Sequence, residues 1–233
     1  MYYPYYYDPT YIILIPAIIL TMYAQFKVSS TTNRYFRVRT QRGYTGEQTA
    51  REILNANGIY DVRIEMTRGT LSDHYDPRNK ILRLSQDVYR GTSITSVAVA
   101  AHECGHAIQD QEDYVPLRFR SAFVPVANLG TQVAFPILLL GVFLGSSHFL
   151  IQVGLLCFFF GVLFQLITLP VEFNASGRAV RILRETGMMS DDELSKTKKV
   201  LSAAAMTYVA AAAASILSML RLIILFGGNR RRD

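Results

Sequence analysis

From Ala122 to Leu169 the chain contains no Lys, Arg, Asp or Glu. That run is too long for one helix across a bilayer, which needs only ~20 apolar residues. Gly145-Ser146-Ser147-His148 interrupts it near its middle, so the spacing predicts two antiparallel spans, Ala122 to Leu144 and Phe149 to Leu169, joined by a tight polar turn. Pro125 and Pro136 are compatible with this reading, because membrane helices tolerate proline where neighbours and local adjustments satisfy the freed backbone groups.

Two further apolar stretches flank this hairpin at a distance. Tyr11 to Phe26 follows a tyrosine-rich cap at Met1 to Thr10. No Lys or Arg precedes it and no small-residue cleavage site follows, so an uncleaved first span with an aromatic belt is expected rather than a signal peptide. Val200 to Phe226 is Ala-rich in its first half, which suits close helix packing, and Arg221 near its end is long enough to snorkel towards the surface. Half of the 233 residues are hydrophobic and the net charge is +6, but the basic residues are interspersed with acids. No basic stripe with interleaved aromatics forms, so the charge points to a phospholipid surface and excludes nucleic acid as a partner. The two cysteines, Cys104 and Cys157, give no disulfide framework.

Between the first span and the hairpin lies a polar stretch, Lys27 to Arg120. Thr45 and Gln48 have capping-box spacing ahead of Ala50, Ile53 and Leu54, and Gly58 closes that helix. Val62, Ile64 and Met66 alternate with charged residues, and Ile81 to Leu84 alternates again after a turn at Asp76-Pro77-Arg78-Asn79, which predicts a small antiparallel sheet. Such a sheet packs a core, and its edge also suits an extended peptide. After the hairpin, Pro170 marks a return to water, with a boundary helix over Val171 to Thr186 and a new capped start at Ser190 and Glu193. The segments expected are therefore 1–26, 27–121, 122–169, 170–199 and 200–233. Lys27, Arg34, Arg37, Arg39 and Arg42, then Arg118 and Arg120, then Arg178, Arg181 and Arg184 fall on one side of four spans. The positive-inside rule makes that side the cytoplasm, although the tail Arg230-Arg231-Arg232 falls on the other.

Ser93 to Gln111 reads as a helix rich in small residues, and it carries His102-Glu103-Cys104-Gly105-His106. On a helix, histidines at i and i+4 share a face and reach one Zn²⁺, with Glu103 beside them to act on water. Cys104 lies about 200° round from His102 and points away. A histidine pair on an apolar face is otherwise a pair of satisfied core groups. A catalytic zinc takes three protein ligands. Glu172 is the favoured third, because an antiparallel hairpin returns it to the surface from which the motif helix departs. His74 and His148 are the other histidines, and a lone Glu at a helix start is otherwise a solvated carboxylate.

The motif, the segment Leu71 to Pro77, Leu84-Ser85, Val88-Tyr89 and Leu169 to Ser176 resemble the YugP-type membrane zinc metallopeptidases over nearly the whole chain. A more distant similarity links it to the HtpX and CAAX-prenyl-protease gluzincins. The resemblance implies His102, His106 and Glu172 as zinc ligands and Glu103 as the catalytic residue. The gluzincin pattern has an Asp four residues after the ligating Glu, where this chain has Ser176. Ser176 or Asn174 is then expected to support an imidazole. His74, Tyr75 and Tyr208 are candidate oxyanion donors. The expectation is a mainly α membrane protein with about four transmembrane helices and a small α+β zincin-like cytoplasmic domain, located in the cell membrane, binding Zn²⁺ and hydrolysing protein or peptide substrates at the bilayer. A non-catalytic zinc-binding scaffold or chaperone is the alternative. A zinc transporter is disfavoured, since the central spans hold no acid.

Overall fold

A computed structural model of the protein describes residues 8–70 and 72–227. A 3-10 turn, Pro9–Leu14, runs into α1 (Ile15–Phe36); α2 (Gly46–Ala56), β1 (Arg63–Thr67), β2 (His74–Asp76), β3 (Ile81–Ser85), α3 (Gln86–Tyr89) and α4 (Ile94–Gln111) follow, and then three long helices, α5 (Val115–Phe143), α6 (His148–Glu185) and α7 (Asp191–Gly227). Among the described residues, four helical segments are long and apolar enough to cross a membrane, namely Pro9–Phe36, α5, α6 and α7. The protein is a mainly α membrane protein with a small three-stranded sheet.

Contacts divide the chain into two units. One holds residues 8–23, 122–167 and 208–227 of the described chain. Its α5–α6 hairpin packs through glycines: a Cβ on Gly130 would lie 2.7 Å from the carbonyl oxygen of Cys157, and one on Gly154 2.6 Å from Leu138. The turn between the helices follows the expected break, with Gly145 at φ +73° and Ser146 at φ +59°. In the same unit Arg221 donates to Asp8 Oδ2 (2.8 Å) and Thr10 Oγ1 (3.1 Å) and lies over the ring of Tyr11. The ends of the first and last spans are thereby tied together.

The other unit comprises Ala24–Ser121 and Thr168–Thr207. Its core forms around α4, where Val97, Ala98, Ala100, Ala101 and Cys104 are buried together with Ile53, Leu82, Leu84, Leu183 and Leu194. Burying each of the large aliphatic side chains contributes roughly 1.5–3 kcal/mol, and the small residues of α4 let the surrounding elements close on it. The cap signals read from the sequence are in place. Thr45 and Gln48 form the capping box of α2, and Ser190 and Glu193 bond reciprocally ahead of α7.

Three expectations are corrected. The sheet is mixed, in the order β1-β3-β2, with β1 parallel to β3 and β2 antiparallel to it. The turn at 76–80 is a hairpin, but it joins β2 to β3. Asp76 accepts from the backbone of Arg78 and Asn79 and Lys80 takes a positive φ, while the residues between β1 and β3 are numerous enough for a parallel crossover. The first helix does not stop at Phe26; it continues to Phe36, since Lys27 to Phe36 contains neither Pro nor Gly. Pro170 does not separate a span from a boundary helix. It lies inside the unbroken α6, where it removes one hydrogen bond and is followed by the buried Val171, Glu172 and Ala175, whose packing holds the helix together. Residues 1–7 and the tail Arg230-Arg231-Arg232 lie outside the described residues.

Candidate metal centre

Helix α4 is capped by Ser93, whose Oγ accepts from the amide of Ser96. Its middle turn approaches α6 so closely that a Cβ on Gly105 would stand 2.6 Å from the carbonyl oxygen of Ala175 and 3.1 Å from its Cα. Only glycine allows this contact, and it sets two histidines of α4 beside one carboxylate of α6. His102 Nε2 and His106 Nε2 lie 3.3 and 3.7 Å from Glu172 Oε2, and the ligand atoms of the three residues all fall within 4.8 Å of one another.

The hydrogen bonds around this cluster determine which imidazole nitrogens carry protons. Arg178, a donor only, gives its Nε–H to Asn174 Oδ1 at 2.7 Å. The same oxygen and the carbonyl of Val171 accept from Gln109 Nε2, each at 2.9 Å, so Gln109 turns its Oε1 to His106 Nδ1 at 3.0 Å. His106 must therefore donate from Nδ1 and leave Nε2 with a lone pair. His102 Nδ1 is likewise engaged, by Ser176 Oγ at 3.2 Å. The carboxylate oxygen facing both Nε2 atoms, Glu172 Oε2, is buried and has no hydrogen-bond partner. Its other oxygen, Oε1, lies 3.3 Å from Arg120. A lone pair facing a buried, unpartnered anionic oxygen is costly unless a cation sits between them, and two imidazoles with a carboxylate are a donor set that suits Zn²⁺. The residues fit the metal.

Glu103, next to His102 on α4, is 8% exposed. A second acid is close to it electrostatically: Asp73, just before β2, is pushed above the usual carboxylate range by burial, with the charge of Glu103 adding to the effect and bonds from Ser85 opposing it. Ser85 donates from its amide to Asp73 Oδ1 at 2.7 Å. For His106, burial pulls the imidazole pKa down, but the neighbouring carboxylates of Glu172 and Glu103 and the bond to Gln109 outweigh it and the net direction is upward. Cys104 faces the core, is wholly buried, and has its thiol pushed up by that burial.

The remaining residues named from the sequence are dispersed. Asn174 reaches His106 only through Gln109. His74 lies on exposed β2 with Nδ1 at 2.8 Å from Ser72 O and Nε2 at 3.3 Å from Arg83. Tyr75 gives its hydroxyl proton to Asp110 Oδ2, which Lys80 also reaches, and burial and Asp110 raise its pKa. Tyr208 stands on α7 in the unit that holds the α5–α6 hairpin, not in the unit of the triad, and His148 opens α6 and lies 2.9 Å from Gln152. Three neighbours of the site escaped the sequence reading. Gln109 is three residues beyond His106 on one helix, so helical spacing alone could have found it. Arg120 and Glu172 are the last charge before and the first charge after the apolar hairpin. Asp73 offers no such signal.

A family profile described as "Putative neutral zinc metallopeptidase" matches residues 10–227. The chain belongs to this family. A relative from Bacillus subtilis (strain 168), "Putative membrane protease YugP", is 50% identical over 189 residues, which is 81% of this chain and 84% of the relative's length. No solved structure matches. The family's zinc and the relative's membrane setting agree with the donor set of the triad and with the four apolar helices.

Proposed function

We propose that the protein is a membrane-embedded zinc metalloendopeptidase of the gluzincin type, with His102, His106 and Glu172 as ligands and Glu103 as general base and acid. The observation that carries this reading is the buried, unpartnered Glu172 Oε2 facing two imidazole nitrogens whose opposite Nδ1 atoms are engaged by Gln109 and Ser176. Zinc, when bound there, supplies a Lewis acid that acidifies water and polarises the scissile carbonyl.

The chain's own residues do the rest. Gln109, positioned by Asn174 and Val171, and Ser176 hold the two imidazoles in orientation. Arg120 steadies the outer oxygen of Glu172, leaving the inner one for the metal. Glu103 accepts a proton from a water whose oxygen attacks the peptide carbonyl carbon. It then returns that proton to the nitrogen as the carbon–nitrogen bond breaks, releasing an amine and a carboxylate. Of the candidate oxyanion donors, Tyr75 is committed to Asp110, and both ring nitrogens of His74 are engaged, by Ser72 O and Arg83. The basic residues beside the spans support a cytoplasmic site, and a site whose carboxylate stands on α6, a helix long and apolar enough to cross the bilayer, favours membrane or juxtamembrane peptides as substrates.

The test is Glu103→Gln in the full-length protein. Zinc content is expected to persist, while hydrolysis of membrane-protein substrates falls by about 10²–10⁴-fold. Equal cleavage by both proteins refutes the assigned role, and protein folded in zinc-containing medium that holds no zinc and is indifferent to His102→Ala refutes the metal site.

A further inference from the structure

A second cavity lies apart from the triad, between the polar ends of α1 and α7. It measures about 630 Å³, and its lining contains Lys27 and Arg34 of α1 and Lys198 and Lys199 of α7; every other lining residue, Ser30 among them, carries a hydroxyl. All of these side chains are hydrogen-bond donors and none is an acid. The acids at the start of α7 are engaged elsewhere: Asp191 with Arg184, Asp192 with Lys196 one turn on, and Glu193 with the amides of Gln41 and Ser190. Among the described residues that line it, the cavity therefore gathers cationic and hydroxyl side chains and no carboxylate, and its size is that of a small-molecule site.

Its place along the helices says which anion it meets. Lys27 is the first charged residue of the chain after Asp8, and Lys199 is the last before Arg221. The cavity thus lies where the apolar parts of both spans give way to charge, which is the depth of phospholipid head groups. Exposed Phe26, beside Lys27, marks the apolar margin.

We infer that this cleft binds a phosphate-bearing anion, supplied in the membrane by the head group of an anionic phospholipid, through Lys27, Arg34, Lys198 and Lys199, with the hydroxyls donating to phosphate oxygens. A second cleft on α1 serves as an internal control. It contains Arg37, Arg39 and Arg90, but Asp87 is also in its lining, so it offers a comparable number of removable charges without an acid-free lining.

The experiment measures retention of phosphatidylglycerol on the full-length protein by native mass spectrometry, in detergent containing either phosphatidylglycerol or phosphatidylcholine, with thermal unfolding in parallel. Selective retention of phosphatidylglycerol is expected, reduced about 25-fold by Lys198→Gln with Lys199→Gln, on the basis of roughly fivefold per cation at a lipid surface. Lys27→Gln with Arg34→Gln should reproduce the loss from the other helix, whereas Arg37→Gln with Arg90→Gln should leave retention near wild type. A rise in unfolding temperature with phosphatidylglycerol alone identifies the source as lipid, and an equal rise with excess inorganic phosphate identifies a soluble phosphate compound. The inference is overturned by equal retention of the two lipids together with no response to phosphate, or by equal loss in the control variant.

Discussion

Gln109→Leu separates the role of the hydrogen-bond network from that of the ligands. The side chain is fully buried and makes three bonds, to His106 Nδ1, Val171 O and Asn174 Oδ1. Two of its partners survive the substitution. Asn174 Oδ1 keeps the donor from Arg178, and Val171 O, inside α6, keeps its helical partner four residues on. Only His106 Nδ1–H loses its sole acceptor, so the stability cost is that of one orphaned buried donor, about 1–3 kcal/mol. The larger effect falls on the metal, since an imidazole freed from its outer partner typically binds 10–100-fold more weakly. Ser176→Ala makes the comparison quantitative. Ser176 is only half-buried, so water can replace its hydroxyl at His102 Nδ1 and the loss should be smaller. The assay is zinc competition against a chromophoric chelator, with thermal unfolding of the metal-free proteins measured beside it. Gln109→Leu binding zinc within about twofold of wild type, or Ser176→Ala as the more damaging change, would refute the argument.

Gly105→Ala should be worse than its single methyl suggests, because the obstacle is the backbone of α6 rather than a flexible side chain. A loss of about 1–3 kcal/mol in unfolding free energy is expected, together with loss of bound zinc as α6 carries Glu172 away; an unchanged zinc content would count against the close approach. Asp73→Asn tests the buried acid. Because the folded-state pKa of Asp73 is raised above its ordinary 3.8, the folded state holds the proton more tightly than the unfolded one, so wild-type stability declines relative to the variant as pH rises from below 3.8 through the raised value. Asparagine still accepts from Ser85, so denaturation curves across that range should show the variant with the flatter pH dependence, and parallel profiles would dispose of the idea.

The features legible in the sequence were those whose physics is local or one-dimensional. Glycine and serine at 145–147 break a run that no single span can use, Thr45 and Gln48 cap a helix through atoms three residues apart, and the spacing of His102 and His106 fixes their shared face. The sheet order was not legible, because β2 is only three residues long and has no alternation to display. Pro170 misled for a related reason. Its local cost is fixed by chemistry, but whether a helix continues through it depends on what the following turn buries, here Val171, Glu172 and Ala175. At the site, Ser176 was anticipated as a partner of an imidazole and is placed at His102 Nδ1, whereas Gln109, rather than Asn174, reaches His106. That choice depends on which of two amides faces the ring across the α4–α6 contact, a matter of tertiary packing rather than spacing.

The bond between Arg120 and Glu172 joins residues 52 positions apart, one on either side of the uncharged hairpin. During synthesis the two histidines emerge first, then the whole hairpin, and only afterwards the carboxylate that faces them. A chain halted anywhere inside the hairpin has an H-E-x-x-H helix with no third partner, so the triad cannot exist until both central helices have been made. Order of translation thus acts as a timer on assembly of the site, and the first charged residue after the hairpin is the one that stops it.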